Sequence, residues 1–296
     1  MKKISVAVDG GFKGLKLEES LELVKRCGFD AVDIGLEFCT LDGPIYGGSQ
    51  DEMESYFYGI KKKCEDLELI IGQTHGRCET YYPNDDARKE WVHKICEKDF
   101  NATALLGAPS CVVHFINSTK WGQAPAHYMR YVSNEMFKAI IPSAEKHKVK
   151  IALETFGAAR VHGARIRDFF ADPNEYLWQY NQMDTEYKTM CVDTGHTHEA
   201  GSFWVPPADE MIRILGKDVT LLHLHDNSGH WDNHMLPGMG NINWPKVFDA
   251  LDDIGYKGTY NHELTLHFCG TMLEDYLSFC GKYLRKFIDN HGNMHK

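Results

Sequence analysis

The stretch TMCVDTGH (189–196) is a short apolar run that ends in polar residues, and the same pattern recurs along the chain. Two similar runs follow it, TLLHLHD (220–226) and TYNHEL (259–264). Five precede it: ISVAVD (4–9), AVDIGLEF (31–38), ELIIGQTH (68–75), CVVHFIN (111–117) and KIALET (150–155). Runs this short and this rich in Val, Ile and Leu are typical of strands that are buried on both faces of a parallel sheet.

Helical patterns lie between these runs. The segment 17–28 places Leu21, Val24 and Cys27 on one face and ends at Gly28, a residue type that commonly terminates helices. Segment 85–107 ends at a glycine in the same way, and segment 271–290 is strongly amphipathic. Eight strand–helix alternations predict a single (β/α)₈ TIM barrel over residues 1–296, with a closed, parallel, eight-stranded sheet. An open doubly wound sheet is the alternative, but no strand is followed by GxGxxG or GxxxxGK[ST].

The composition indicates in which compartment the protein resides and which partners are disfavoured. The chain has 296 residues, 43% of them hydrophobic, which is enough for a core without disulfides, and its nine cysteines include no CxxC. The amino terminus resembles no signal peptide, and no apolar run is long enough to cross a membrane. We therefore expect a cytoplasmic protein with free thiols and no membrane association. The net charge of −10 disfavours sequence-independent binding of nucleic acid.

Candidate metal ligands stand at or near the ends of successive predicted strands. Any one of them alone would be an ordinary polar residue at a strand end. In a closed parallel barrel, however, these strand ends converge at the face where active sites are built. Crowded buried carboxylates are costly unless a cation neutralises them, and mixed His, Asp and Glu ligands suit Zn²⁺, Mn²⁺, Fe²⁺ or Co²⁺ better than Ca²⁺. The candidate ligands are His75, His114, Glu154, Asp193, His196, His223, His225 and Glu263.

The segment HLHDNSGHWDNHMLPGMGNINW (223–244) adds a second indication. His223 and His225 are two residues apart, so they share the inward face of a strand. Asp232 and His234 repeat that spacing in the following loop. Alone, this would be a histidine-containing surface loop, but beside the strand-end residues it predicts that Asp232 and His234 are additional metal ligands.

These motifs resemble the xylose isomerase-like, AP endonuclease family 2 superfamily of TIM barrels. LET (153–155) is similar to the superfamily's strand-five acid motif, and VDTGH (192–196) to its D-x-x-H. HLHDN (223–227), with the D-x-H and P-G-x-G that follow, is similar to its strand-seven signature, and HEL (262–264) to its last acid. In sugar isomerases and epimerases of this superfamily, such residues hold one divalent metal. The resemblance therefore implies that the ligands here are Glu154, Asp193, His223 and Glu263.

The resemblance also implies the roles of these residues. Glu154 and Glu263 would form the acid/base pair while they bind the metal, and His196 would contact substrate hydroxyls. We prefer His223 to His225 as the ligand because Asp226 completes an H-x-x-acid spacing, although His225 remains an alternative. We assign His225, His75 and His114 to substrate binding. We expect Mn²⁺, with Co²⁺, Mg²⁺, Fe²⁺ and Zn²⁺ as alternatives.

The chemistry that follows is proton abstraction. A metal that chelates a carbonyl and the adjacent hydroxyl acidifies the intervening C–H and stabilises the charge of an enediolate. Two carboxylates can then remove and return the proton. We expect a metal-dependent isomerase or epimerase acting on a small sugar or sugar derivative. A lyase or dehydratase acting on keto-sugars or 3-keto-glycosides is a close alternative, and an inactive barrel is disfavoured because no ligand has been lost.

Endonuclease IV is the main rival, because the chain also resembles this zinc phosphodiesterase. Residues that match the type of its nine zinc ligands are His75, His114, Glu154, Asp193, His196, His223, Asp232, His234 and Glu263. Three features disfavour nucleic acid as the partner. Phe115 stands where endonuclease IV has a proline, the charge is acidic, and the sequence suggests no loops rich in arginine and aromatic residues.

Two departures from the superfamily pattern bear on the substrate. Arg160 stands where ketose 3-epimerases carry a substrate-binding Glu, and Arg165 and Arg167 follow it. These arginines are either solvated or form a clamp for a carboxylate or phosphate, in which case the substrate is not a neutral ketose. Met239 stands in PGMG where relatives often carry an acid. Homo-oligomers are common among such barrels, so we include one as an expectation.

Overall fold

Strands and helices alternate along the computed structural model, which describes residues 2–77, 81–116, 124–161 and 164–290 and leaves out the side chains of 159 and 160. The strands within those ranges are β1 (Ile4–Asp9), β2 (Ala31–Gly35), β3 (Ile70–His75), β4 (Ser110–Val113), β5 (Lys150–Glu154), β6 (Ala158–Val161), β7 (Ala164–Arg167), β8 (Lys188–Asp193), β9 (Val219–His223) and β10 (Tyr260–His262). The α-helices are α1 (Leu17–Arg26), α2 (Gln50–Asp66), α3 (Asp86–Leu106), α4 (Ala126–His147), α5 (Pro173–Gln182), α6 (Thr194–Ala200), α7 (Ala208–Leu215), α8 (Trp244–Asp253) and α9 (Leu273–Asp289).

Eight of the strands form one parallel sheet in the order β10-β1-β2-β3-β4-β5-β8-β9. The two ends of this order meet, because Leu224 and His262 form a parallel bridge and the Leu224 N–H donates to the Asn261 carbonyl at 2.8 Å. The prediction of a closed (β/α)₈ barrel is confirmed. That one domain extends over all of residues 1–296 stays a prediction.

The helices form where the sequence predicts them. Asp85 accepts a hydrogen bond from the Arg88 N–H and begins α3, and Gly107 ends this helix with a φ of +77°. Helix α1 buries Leu21 and Val24 on its inner face, as its periodicity predicts. Strands β6 and β7 form an antiparallel hairpin between β5 and α5, which was not predicted from the sequence.

The alternation of side chains along each strand positions the site. On β5, Ile151 and Leu153 face the helices, while Ala152 and Glu154 point into the barrel. Cys191 on β8 and Leu221 on β9 likewise lie two residues before Asp193 and His223. Together with Val112 on β4, the inward apolar residues Ala152, Cys191 and Leu221 form a small buried cluster of their own. The candidate ligands therefore lie one step above an apolar floor.

Two expectations from composition can be compared with the described residues. Their eight cysteines are all free thiols. Across the same ranges, every helix is too short or too polar to cross a bilayer.

Candidate metal centre

Candidate ligands from six strands meet at the carboxyl end of the barrel. They form four overlapping groups of three, and the ligand atoms in each group lie within 4.8 Å of one another. The groups are His75–His114–Glu154, Glu154–Asp193–His223, His75–His223–Glu263 and His225–His234–Glu263. Imidazole nitrogens and carboxylate oxygens at this spacing are a donor set that fits a divalent transition metal. The convergence expected from the sequence is thus found.

Glu154 belongs to two of these groups and is almost fully buried. Its Oε1 lies 2.9 Å from His223 Nδ1, and its Oε2 lies 2.5 Å from His114 Nε2. His75 Nε2 is 3.4 Å from the same Oε2. Burial raises the pKa of Glu154, but the charges of His223 and His114 outweigh burial and hold the pKa well below its usual range. Glu154 is therefore ionised at neutral pH.

Asp193 ends β8 and is fully buried. Its Oδ1 accepts a hydrogen bond from the His196 N–H at 2.7 Å, and this contact caps the start of helix α6. The two carboxylate oxygens lie 3.0 and 3.1 Å from His225 Nε2. His196 Nδ1 lies 2.9 Å from the Thr155 carbonyl, which fixes the orientation of the ring. Asp193 therefore both positions His196 and faces His225.

The loop after β9 brings Asp232 and His234 to the site. His234 Nε2 lies 3.0 Å from Asp232 Oδ2, and the same oxygen lies 3.5 Å from His196 Nε2. The rings of His234 and His225 stack with centroids 4.0 Å apart at 5°. Burial lowers the pKa of His234, but Asp232 more than offsets this and raises the pKa to about 9. The extra ligands predicted from the loop thus adjoin those from the strands.

Both His223 and His225 enter the site, but they face different partners. His223 Nδ1 lies 2.9 Å from Glu154 and 3.2 Å from Glu263 Oε1, whereas His225 Nε2 faces Asp193. His223 therefore adjoins Glu154 and Glu263, whereas His225 adjoins Asp193 and groups with His234 and Glu263, so the preference for His223 stays a prediction.

Asp226, which motivated the choice of His223, has a structural role. Its Oδ2 accepts hydrogen bonds from the Gly238 N–H at 2.9 Å and the Trp244 Nε1–H at 2.8 Å. Its Oδ1 accepts from the N–H groups of Asn227 and Ile242. Asp226 thus holds the PGMG loop against the start of α8. Met239 in that loop is exposed.

A buried polar group beneath the ligands was missed in the sequence. Asp33 Oδ2 accepts hydrogen bonds from Gln73 Nε2 at 2.9 Å and Asn261 Nδ2 at 3.0 Å, and it lies 3.5 Å from His223 Nε2. Asp33 and His223 are both fully buried. Gln73 Nε2 also lies 2.9 Å from His223 Nε2, so Asp33 and Gln73 together face the ring on the side away from Glu154, where outer groups commonly orient a ligating histidine. The only signal in the sequence was an acid within the apolar run 31–38.

The arginines after β5 are only partly described. Arg160 belongs to β6 and pairs with Arg165 through the backbone, while its side chain lies outside the described residues. Arg165 donates to the Glu199 carbonyl and to Ser202 Oγ, and Arg167 lies 3.4 Å from Asp172. Arg165 and Arg167 therefore attach the hairpin to its surroundings, and the anion clamp stays a prediction for Arg160.

Two of the features that disfavour a nuclease, Phe115 and the composition of the loops, can be located in the structure. Phe115 is fully buried and stacks on Phe170 with ring centroids 4.5 Å apart, so it belongs to the core. Trp231 and Phe268 are exposed on the loops that follow β9 and β10. That the chain has no loops rich in both arginine and aromatic residues stays a prediction.

Relatives in sequence include an uncharacterized protein and a probable endonuclease 4. The chain is 30% identical over 257 residues to an uncharacterized protein of Methanocaldococcus jannaschii, covering 83% of this chain and 78% of that protein. It is 26% identical over 180 residues to a probable endonuclease 4 of Staphylococcus carnosus, covering 56% of this chain and 54% of the relative.

Solved structures with the same fold include sugar epimerases. A D-tagatose 3-epimerase-like protein superposes with a TM-score of 0.68 and 22% identity, covering 96% of this chain and 100% of the other. L-ribulose 3-epimerase superposes with a TM-score of 0.72 and 14% identity, covering 99% and 96%. Residues 21–267 match the family described as Xylose isomerase-like TIM barrel. The chain therefore belongs to the xylose isomerase-like TIM-barrel family.

Proposed function

We propose that this protein is a divalent-metal-dependent isomerase or epimerase of a small polyhydroxylated carbonyl compound. The observation that carries the proposal is the position of two carboxylates around one imidazole nitrogen. Glu154 Oε1 and Glu263 Oε1 lie 2.9 and 3.2 Å from His223 Nδ1, and Asp193 Oδ2 lies 3.9 Å from it. These four side chains come from four different strand ends and would hold the metal.

In the proposed reaction the metal and the protein side chains have different roles. When bound, the metal would act as a Lewis acid toward the carbonyl and the adjacent hydroxyl. We favour one Mn²⁺, with Co²⁺, Mg²⁺, Fe²⁺ or Zn²⁺ as alternatives. Glu154, ionised because of its histidine neighbours, would take the proton from the carbon beside the carbonyl. Glu263 would give a proton back at the neighbouring position or the opposite face.

The remaining histidines would orient the substrate. The pocket above the ligands has a volume of about 290 Å³ and is lined mostly by polar side chains, which suits a compound with several hydroxyls. His75, His114 and His196 line it, and His225 would act from behind Asp193. Arg160 would bind an acidic group if the substrate carries one.

A second candidate function, phosphodiester hydrolysis with several metals, is supported by a specific observation. His75 and His114 form a separate group with Glu154, and His234 groups with His225 and Glu263 on the other side. More donors are present than one ion needs, and paired ions suit hydrolysis of a phosphodiester. The relative named a probable endonuclease 4 adds to this candidate.

The test is exchange of substrate hydrogen with solvent deuterium. Protein reconstituted with Mn²⁺ is incubated in D₂O with a panel of ketoses, keto-acids and 3-keto-glycosides, and each compound is analysed by NMR. The Glu263→Gln variant is compared with Glu210→Gln, whose side chain is exposed on α7. The proposal is supported if deuterium exchange is lost in Glu263→Gln and retained in Glu210→Gln. The products that NMR identifies then distinguish isomerisation, epimerisation and elimination. Absence of exchange, together with cleavage of abasic DNA and nearly three Zn²⁺ per chain, would establish the second candidate instead.

A further inference from the structure

A second cavity adjoins the pocket above the metal ligands. Its volume is about 510 Å³, larger than the 290 Å³ of the pocket beside it. The two share Ala7, Asp9, His234 and Leu264 as lining residues, so they are compartments of one cleft. A single small ketose bound at the metal would leave the larger compartment empty.

The first wall of this cavity is held rigidly. Gly10 and Gly11 have φ values of +67° and +118°, and a Cβ at Gly11 would lie 2.5 Å from the Leu15 carbonyl oxygen. This tight turn at the end of β1 brings Phe12 and Lys13 to the cavity. The Phe12 N–H donates to Ser20 Oγ at 2.8 Å, and little of the Phe12 side chain is exposed.

The opposite wall is joined to the metal centre. The Thr265 N–H donates to the His234 carbonyl at 3.0 Å, and Thr265 Oγ1 donates to the Asn233 carbonyl at the same distance. Leu264 and Leu266 flank Thr265 and line the cavity. The segment that forms this wall therefore keeps a fixed position relative to His234.

The lining mixes apolar faces with hydrogen-bonding groups. Phe12, Leu264 and Leu266 supply apolar surface, while Thr271 and Lys13 supply polar groups. No ion pair joins Lys13 to another residue of the described ranges, so its ammonium group is available to a ligand. A sugar ring matches such a lining, because it has C–H faces and hydroxyls at its edge.

We propose that this cavity is a subsite for a second sugar ring, and that the substrate is a keto-sugar glycosidically linked to another sugar rather than a free monosaccharide. The inference rests on the proposed function, because the first ring is assigned to the metal centre. The second ring lies between Phe12 and Leu266, with its hydroxyls toward Thr271 and Lys13. The reaction at the first ring is unchanged. The subsite strengthens the binding of a disaccharide and so favours it over a monosaccharide.

The experiment compares keto-disaccharides with monosaccharides on Mn²⁺-loaded protein. The probes are isomaltulose, lactulose and 3-ketosucrose, with fructose and methyl 3-keto-glucoside as their short counterparts. Binding is measured by titration calorimetry and deuterium exchange by NMR. Two variants fill the cavity: Thr271→Trp from its exposed rim, and Leu266→Phe from the wall formed by residues 264–266. Met272→Trp is the matched control, because Met272 is exposed but does not line the cavity. Melting temperatures establish that each variant is folded.

We expect at least one disaccharide to bind about tenfold or more tightly than its short counterpart. This ratio should fall toward one in Thr271→Trp and Leu266→Phe and persist in Met272→Trp. Equal affinity for long and short probes, or a ratio that the filling variants leave intact, overturns the subsite. Exchange with monosaccharides alone would overturn the subsite while the proposed function stands. Tight disaccharide binding without any exchange would retain the subsite and remove the isomerase or epimerase.

Discussion

The Nδ1 atom of His223 lies 2.9 Å from Oε1 of Glu154, a contact between β9 and β5 in the buried interior of the barrel. Both residues are proposed metal ligands, and a histidine must lose its proton before it can bind an ion. Protonation of the site and metal binding should therefore compete.

The first prediction concerns pH and the metal-free protein. Neighbouring carboxylates raise the pKa of His75 and His234 from 6.5 to about 9, more than offsetting the burial that lowers it. A histidine whose pKa is raised on folding stabilises the protein below about 6.5, and this contribution is lost as the pH rises through about 9. The melting temperature of chelator-treated protein should fall between these values. A melting temperature that rises over this interval would contradict the assignment.

Metal binding should show the opposite trend. Burial lowers the pKa of the ligand His223, but the acidic groups around it raise this pKa well above its ordinary value, so the affinity for Mn²⁺ should increase with pH, with release of protons. Titration calorimetry in two buffers of different ionisation enthalpy measures the number of protons released. An affinity independent of pH would mean that the ion binds elsewhere.

Replacement of Glu154 by Gln should remove both metal and activity. The side chain contacts His114 and His223 and is proposed as ligand and base, so Glu154→Gln should lower deuterium exchange by about 10²-fold or more. The Mn²⁺ content, measured by plasma mass spectrometry, should fall as well. Full metal content together with full exchange in this variant would remove Glu154 from the centre.

Asp33 should act through His223 without touching the metal. Asp33→Asn keeps the shape of the side chain but removes the charge 3.5 Å from His223 Nε2. We expect the Mn²⁺ affinity to fall about 10- to 100-fold. Asp253→Asn, an exposed change on α8, serves as the control. Unchanged affinity in Asp33→Asn would show that Asp33 only fills the barrel interior.

Asp226 should matter for stability more than for chemistry. Its carboxylate accepts hydrogen bonds from four donors in the segment 227–244, so Asp226→Ala leaves several buried donors without partners. The free energy of unfolding, measured by urea denaturation, should fall by about 3 kcal/mol or more. A loss within about 0.5 kcal/mol, the ordinary range for surface substitutions, would contradict the anchoring role.

The sequence indicated the candidate ligands because each lies at or near the end of an apolar run that can be recognised on its own. Glu154 and Asp193 end buried strands, and parallel topology brings such ends together whatever the details of packing. Asp33 could not be found in this way. Its register to β3 shifts between Val32 and Asp33, and this irregularity sets the position of Asp33 against Gln73. A shift of this kind depends on neighbouring strands, so local periodicity does not reveal it.

The hairpin of β6 and β7 was missed for a related reason. Its strands are only four residues long, and they pair with each other rather than with the barrel. The contacts of Arg165 with Glu199 and Ser202 arise only after α6 packs beside this hairpin. The sequence shows three arginines near one strand end, but only the three-dimensional structure shows that Arg165 and Arg167 contact other residues of the protein.

The closed floor beneath Glu154, Asp193 and His223 determines the route by which an ion reaches them. Val112, Ala152, Cys191 and Leu221 form a buried apolar cluster, and Asp33, Gln73 and Asn261 are buried and joined by hydrogen bonds. An ion would therefore enter and leave through the mouth where the proposed sugar substrate would also bind. Loading would then be ordered, with the metal before the substrate, and a bound substrate should trap the ion. Stripping of Mn²⁺ by EDTA should slow as the sugar concentration increases, and an unchanged stripping rate would require a second exit.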